Sequence, residues 1–438
     1  MGRLDRRRDF LKAALVAGTG LFTSTRRALA RLVAPNDRLQ LGIIGAGGRG
    51  ASNLGFVAAD PGVDIVAIAD VDDQRAAAAY EKFPRARRFH DFRRLLEELP
   101  SLDAVVVSTP DHTHAVAAAM ALRLGKHVYC EKPLTHSVHE ARVLRQLAAE
   151  HGVATQMGNH GHALDGSRRA VEIVRSGALG PISEVHVWTD RPIWPQGAAR
   201  PAETPPTPAH VAWDLWLGPA PERPYHPAYL PFNWRGWWDF GTGALGDMAC
   251  HNADMAFWAL ELEDPRTIHT QSGGGTSESP PNWSIIRYEF PARGERPATS
   301  LTWYDGGKKP PAELAAGHAL PDNGTLLVGQ RGTMLCTDPY CAEFVLLPEE
   351  QFAEYEAPPA TLPRSPGQHA EWLAACRGEG AALSNFDYAS RLTEMVLLGN
   401  AALRLGGTQT WDHQRMQFVD APQADALLRR AYRTGWEL

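Results

Sequence analysis

Asp247, His251 and Asp254 stand at i, i+4 and i+7 within the segment Gly243-Ala244-Leu245-Gly246-Asp247-Met248-Ala249-Cys250-His251-Asn252-Ala253-Asp254. On an α-helix that spacing gathers the three side chains on one face. A carboxylate and an imidazole one turn apart can orient a hydroxyl-bearing substrate and exchange its proton near neutral pH. The segment runs on as Met255-Ala256-Phe257-Trp258-Ala259-Leu260, which is almost wholly apolar. The helix is therefore expected to continue and to be buried, and buried acids need partners or a task. Two other readings of the trio stay open: a solvated acidic face, and a metal site drawing on His112, His114, His160 and His162.

A second constellation lies near the start. Residues 39–44 form an apolar run suited to a buried parallel strand, and Gly45-Ala46-Gly47-Gly48-Arg49-Gly50 follows at once. The spacing G-x-G-x-x-G directly after a strand and before a helix, here residues 51–59, is the context that makes this motif informative. The glycines permit a tight turn and close approach of a pyrophosphate, and the helix start offers N–H groups to it. A second strand, residues 63–69, ends at Asp70, about 20 residues beyond the last glycine. A carboxylate there can bond both ribose hydroxyls and would repel a 2′-phosphate, so NAD is preferred to NADP. Asp72 is a weaker candidate for the same place.

Strands at residues 103–108, 127–130 and 153–156 alternate with helical stretches. Residues 36–158 therefore read as a doubly wound parallel sheet, an α/β Rossmann domain. Ligands of such sheets sit at the carboxyl ends of strands. Thr109, Pro110, His112 and His114 fall at one such end, and Glu131 and Lys132 at another.

With these residues in view the chain resembles the Gfo/Idh/MocA oxidoreductases. The resemblance rests on the glycine motif at 45–50, Ser108-Thr109-Pro110, Glu131-Lys132-Pro133-Leu134 and the 243–254 segment, in that order. It implies a Rossmann domain followed by an α+β C-terminal domain, residues 159–438, built on an open, mostly antiparallel sheet. It implies that Gly45, Gly47, Gly48, Arg49, Gly50, Asp70, Thr109, Pro110, His114, Glu131 and Lys132 surround the cofactor. Lys132 is placed near the nicotinamide, with a cis bond to Pro133, and Asp247 and His251 reach it from the second domain. Lys132 would then polarise a substrate hydroxyl or act as the base itself, and Asp247 would orient the sugar or tune Lys132. The family pattern accounts for these residues without a metal, so no metal is assigned.

In the second domain, His162 opens a helix at residues 165–176. Residues 190–240 are proline-rich and, with Trp188, hold seven of the thirteen tryptophans. So aromatic a stretch reads as a packed, substrate-covering segment. His162, Trp234, Arg235 and Asp254 are its candidate substrate contacts. The turn Trp303-Tyr304-Asp305-Gly306-Gly307-Lys308 is a further candidate for the pocket wall. Later strands are expected at 182–188, 284–290, 299–304, 325–328 and 343–347, and closing helices at 368–376 and 388–405.

The net charge of −6 over 438 residues gives no reason to expect a nucleic-acid partner. Five cysteines at wide spacing imply no disulfide framework. Cys336 and Cys341 flank a turn and could pair, but free thiols are the preferred reading. Residues 1–34 read as a signal peptide: Arg6-Arg7-Arg8-Asp9-Phe10-Leu11-Lys12, a short apolar stretch, then Ala28-Leu29-Ala30. The arginine pair before Phe10-Leu11-Lys12 looks like a twin-arginine signal. Export by that machinery and a periplasmic location are expected, with no membrane span.

The expected reaction is reversible hydride transfer between a sugar carbinol and a tightly held NAD. A second reading is an NAD-dependent glycosidase working by transient oxidation, elimination, hydration and re-reduction. A third is a non-catalytic sugar or dinucleotide binder, which would have no use for Lys132, Asp247 and His251 together. Homo-oligomers are common in the family.

Overall fold

The computed structural model describes residues 38–419 and 421–438, and the leader expected at residues 1–34 lies outside the described residues. Six strands form a parallel sheet: β1 (Leu39–Ile44), β2 (Val63–Ala69), β3 (Arg87–Phe89), β4 (Ala104–Val107), β5 (His127–Cys130) and β6 (Thr155–Met157). Their order is β3-β2-β1-β4-β5-β6, so the chain reverses direction across the sheet between β1 and β4. That reversal opens the crevice in which such sheets bind ligands. β4 is buried along its whole length, which is why Ala-Val-Val-Val shows no polar alternation. The crossovers are α1 (Arg49–Val57), α2 (Asp73–Lys82), α3 (Phe92–Glu98), α4 (Asp111–Arg123) and α5 (Val138–His151). Local chemistry sets their ends. Asp72 caps α2 by accepting from Gln74 N and Arg75 N. Ser137 and Glu140 form a capping box on α5, which Gly152 ends in the left-handed conformation.

A second sheet has nine strands in the order β13-β12-β11-β7-β10-β9-β8-β14-β15. These are β7 (Ile182–Trp188), β8 (Thr267–Gly273), β9 (Trp283–Phe290), β10 (Thr299–Tyr304), β11 (Gly324–Gly329), β12 (Thr333–Cys336), β13 (Phe344–Leu347), β14 (Gly407–Asp412) and β15 (Gln417–Phe418). All neighbours run antiparallel except β7 and β10. The helices of this half are α6 (Asp165–Arg175), α7 (Trp213–Leu217), α8 (Gly243–Asn252), α9 (Asp254–Leu260), α10 (Glu349–Phe352), α11 (Gln368–Cys376), α12 (Phe386–Leu405) and α13 (Asp425–Leu428). One apolar cluster runs from Val107 and Leu144 of the first sheet layer to Val185, Phe257 and Leu392 of the second. α11 returns to the first sheet: its His369 lies between Phe56 and Tyr129, with ring centroids 4.9 and 4.8 Å away.

Three sequence expectations are corrected. The helix expected through residues 243–260 breaks at Ala253, where α8 ends and α9 begins. Cys336 and Cys341 are joined in a disulfide, because the turn between them brings their Cα atoms to 4.9 Å. Strands β3, β8, β12 and β14 are not among those expected: β12 is apolar but only four residues long, and the other three carry no strong apolar signal. In β8 only Ile268 is fully buried, so its sequence reads as polar.

Candidate functional site

The glycine turn after β1 has no room for side chains. Gly45 has φ +84°, and a Cβ there would stand 2.7 Å from Ser108 O; one at Gly50 would stand 2.0 Å from Gly45 O. Gly48 precedes α1 and offers no side-chain cap; Gly50 N and Ala51 N turn back to Gly47 O and Gly48 O at 3.0 and 3.1 Å, which leaves the Arg49 amide at the helix start to meet an anion. The Asp70 carboxylate accepts from Ala46 N (2.7 Å), Gly47 N (3.2 Å) and Asp72 N (3.0 Å), tying the turn to the end of β2. Burial pushes its pKa up, against the pull of those amides.

The turn opens into a groove of ≈ 340 Å³. Gly45, Gly47, Gly48, Arg49, Asp70, Thr109, Pro110, Glu131 and Lys132 line one wall. Leu215, Trp216, Leu230, Phe232, Trp234 and Arg235 of the tryptophan-rich segment form the other, with Trp436 from the chain's end. That segment has its own core of Val211, Trp216, Tyr229, Trp237 and Phe240, so most of its indoles bury one another. It is pinned to the β2–α2 loop by a bridge between Val211 and Asp72 and by His210 Nδ1 at 3.0 Å from Asp72 Oδ1. A glycine cradle at a helix start and a long groove ending at an ammonium group fit a dinucleotide.

Lys132 follows β5 and its peptide bond to Pro133 is cis. Its Nζ donates to Asp247 Oδ1 (2.8 Å) and to Asp247 O (2.6 Å). Arg235 Nε donates to the same Oδ1 at 2.9 Å, while its guanidinium lies 4.2 Å from the Trp234 ring centre. Burial works to raise Asp247, but the charges of Lys132 and Arg235 outweigh it and hold the carboxyl well below the usual range. His251, one turn along α8, is buried beside His160 and Tyr340, at ring distances of 5.5 and 5.1 Å. Burial, then the Lys132 charge, push its pKa well below the ordinary imidazole value. His251 is thus a neutral proton acceptor next to a fixed cation–anion pair. Glu131 is held below the usual carboxylate range: burial opposes this, but the charge and hydrogen bond of Arg49 and the Asn53 amide prevail.

The structure moves several expected residues away from the groove. His114 turns both ring nitrogens to carbonyls, Pro133 O and Thr109 O, each at 2.8 Å. It clamps two strand ends together and presents no atom to a cofactor. His112 likewise lies between Phe240 O and Trp216 O. Asp254 does not join Asp247 and His251: it lies two turns beyond Asp247, past the interruption at Ala253, and finds partners of its own. Its carboxylate meets His162 Nδ1 at 3.0 Å and accepts from Tyr388 Oη at 2.6 Å. His162 is buried on Trp258, 3.9 Å between ring centres. This pair is packed within the second domain and neither residue lines the groove. Nor does the 303–308 turn: Asp305 accepts from Ser284 Oγ and Trp303 Nε1, both at 2.8 Å, and fastens β9 to β10. Arg235 reaches Asp247 as well as the groove. Among the described residues no group of three or more His, Cys, Asp or Glu is disposed to hold a metal, and no helix is long and apolar enough to cross a membrane.

Sequence reasoning did not assign Arg75, His160, Tyr340 or Asp111. Arg75 extends over the glycine turn, its Nη2 2.8 Å from where a Gly48 Cβ would be; its place three residues past Asp72 is the one available signal. Asp111 lines the groove and accepts from Thr242 Oγ1 at 2.6 Å. His160 and Tyr340 come from separate loops, and only the fold brings them to His251.

Fold and site together define a two-domain α/β protein of the dinucleotide-binding type. Residues 39–159 match the family model described as "Oxidoreductase family, NAD-binding Rossmann fold". Residues 172–292 match the companion "Oxidoreductase family, C-terminal alpha/beta domain". The chain belongs to the Gfo/Idh/MocA oxidoreductase family. It is 36% identical over 149 residues to an inositol 2-dehydrogenase of Rubrobacter xylanophilus, covering 33% of this chain and 42% of that one. It is 35% identical over 149 residues to a glycosyl hydrolase family 109 protein of Solibacter usitatus, covering 31% and 34%. The matched region spans less than half the length of these relatives. Among solved structures, GenD2 from gentamicin A biosynthesis in complex with NAD superposes with TM-score 0.59 at 18% identity, covering 86% of this chain and 97% of that one.

Proposed function

We propose that this protein is an NAD-dependent oxidoreductase acting on a secondary hydroxyl of a sugar or cyclic polyol. One observation carries the reading: the ammonium group of Lys132 stands at the end of a glycine-cradled groove, and directly behind it lie the Asp247 carboxylate that holds it and the buried, neutral His251 imidazole one helical turn further on. Bound NAD supplies the hydride acceptor. Lys132 donates a hydrogen bond to the substrate oxygen and stabilises negative charge as it develops there. Asp247, kept ionised by Lys132 and Arg235, holds the ammonium in place. His251 takes the hydroxyl proton. The Trp234 indole, with the Arg235 cation over it, offers an apolar face to sugar C–H groups.

The twin-arginine pattern at residues 6–12 supports export in the folded state, and the Cys336–Cys341 disulfide suits an oxidising compartment. An exported enzyme has no ready NAD pool, so the cofactor is held through many turnovers, and the packed segment over the groove suits that. The nine-stranded sheet is the surface through which a homo-oligomer would form.

The test is direct. Purified protein is expected to carry nicotinamide, and a panel of sugars and inositols should raise absorbance in the reduced-nicotinamide band. Failure of every polyol to change that band, with NAD bound, would overturn the reading. Similarity to the family 109 protein favours one alternative use of the same residues. In it, transient oxidation acidifies a neighbouring C–H, the glycosidic group leaves, water adds and the hydride returns. Aryl glycosides hydrolysed without net change in the band would select that alternative.

A further inference from the structure

An imidazole that moves protons is commonly fixed by a hydrogen bond to its second nitrogen, which sets its tautomer and orientation. Among the described residues His251 has no such partner: no side chain or backbone group bonds its buried Nδ1. Its position is set by packing instead, and the packing partner is unusual. Cys336 and Cys341 close Thr337-Asp338-Pro339-Tyr340 into a disulfide ring. Asp338 stiffens the ring by accepting from Tyr340 N (2.8 Å) and Glu343 N (2.9 Å). Two glycines let the ring dock closely beside α6. A Cβ at Gly161 would stand 3.1 Å from Tyr340 Cβ, and one at Gly166 1.9 Å from Ala342 O. So held, the Tyr340 ring lies edge-on to His251, with centroids 5.1 Å apart and planes at 83°, and 4.3 Å from His160.

We propose that Tyr340, fixed by the Cys336–Cys341 ring, is a positioning residue for His251 and takes the place of the absent hydrogen-bonded partner. The disulfide thereby reaches the proton-transfer site, and its reduction loosens the imidazole. The proposal rests on the proton-accepting role given to His251 above. It also accounts for the two close-approach glycines, which the groove does not require.

The charged and titratable groups facing His251 are Lys132 from the end of β5, Asp247 on α8, His160 before α6 and Arg49 on α1. Tyr340 adds apolar surface that excludes water. Its removal admits water, relieves the desolvation that depresses the imidazole, and raises the midpoint.

The measurement is the His251 titration in the full chain, followed by NMR with ring-labelled histidine and assigned through His251→Asn. Tyr340→Ala should raise the midpoint by about one unit and lower kcat/KM at least tenfold, the acid limb of its pH profile moving with the midpoint. Tyr340→Phe, which keeps the ring, should restore both. Cys336→Ser/Cys341→Ser, or reduction of the unmodified protein should Tyr340→Ala fail to fold, should move the midpoint the same way. An unchanged midpoint in folded Tyr340→Ala overturns the proposal. A shift there but none on breaking the disulfide overturns the part given to the ring. If the midpoint moves and the pH profile does not, His251 is not the proton acceptor, and the failure belongs to the proposed function instead.

Discussion

Lys132 grips Asp247 twice, through the carboxylate at 2.8 Å and through the same residue's backbone carbonyl at 2.6 Å. The second contact ties the ammonium to the backbone of α8, so its position follows the helix and not a flexible side chain. Replacing Lys132 by Met keeps the stem and deletes the charge. The expected result is a fall in kcat of about 10²–10⁴-fold, with bound nicotinamide retained. Turnover within threefold of the unmodified enzyme would show that another group stabilises the substrate oxygen.

Asp247 is the one anion between two cations, and its side chain is only 11% exposed. Asp247→Asn removes that anion and leaves Lys132 and Arg235 facing each other. Breaking a buried pair in this way costs about 3–5 kcal/mol. Urea denaturation should register the loss, and Asp247→Asn/Arg235→Gln should recover part of it. A loss under 1 kcal/mol in the single variant would mean that water already screens the cluster.

How far the chain declares this site in advance depends on the kind of residue. The turn at 45–50 is local: a strand, three spaced glycines and a helix are contiguous, so the sequence alone implies the cradle. Asp247 and His251 are likewise separated by one helical turn. Asp254 fails the same logic because periodicity gives a shared face but not the partners met two turns along, and there His162 and Tyr388 take the carboxylate. Tyr340 is not legible at all, and His160 is legible only as a histidine available near a pocket, with no pointer to His251. They lie on different loops, and their meeting depends on β12, which is only four residues long, and on docking distances set by Gly161 and Gly166.

Buried neutral histidines set the acid side of stability. Burial pushes His112 down to about 3 and His369 down to about 4, with His136 also well below the ordinary value. Below about pH 6.5 the unfolded chain binds protons on these rings and the native chain does not. Stability therefore falls as pH drops from 6.5 towards 4, with His369 alone accounting for about 3 kcal/mol at the lower end. His413 acts in the opposite sense. Hydrogen bonds to Asp264 and Glu394 raise it to about 9, so its contribution is complete below 6.5 and lost as pH rises towards 9. Unfolding free energies across pH should peak near 6.5, and His413→Asn should flatten the alkaline side alone. A profile still rising at pH 9 would contradict both assignments.

The choice between NAD and NADP turns on Asp70 and Arg75, which both line the groove beside the glycine turn. Asp70 lines the groove, and as an anion it disfavours a 2′-phosphate. Arg75 reaches over Gly47 and Gly48 and supplies a cation of the kind that favours one. At present the carboxylate also holds Ala46 N, Gly47 N and Asp72 N, so deleting the side chain would disturb the turn and confuse the result. Asp70→Asn keeps one oxygen for Ala46 N and Gly47 N, gives up the acceptor for Asp72 N, and removes the charge with the least change of shape. With the repulsion gone and Arg75 in place, NADP affinity should rise at least tenfold relative to NAD, since a unit charge a few ångströms away is worth about 1–4 kcal/mol near a protein surface. Adding Arg75→Ala should take most of that gain away. Trp216, Trp234 and Trp436 line the groove, so quenching of their fluorescence after removal of co-purified nucleotide reads both affinities. An affinity ratio unmoved by Asp70→Asn would place the 2′ position beyond the reach of Asp70.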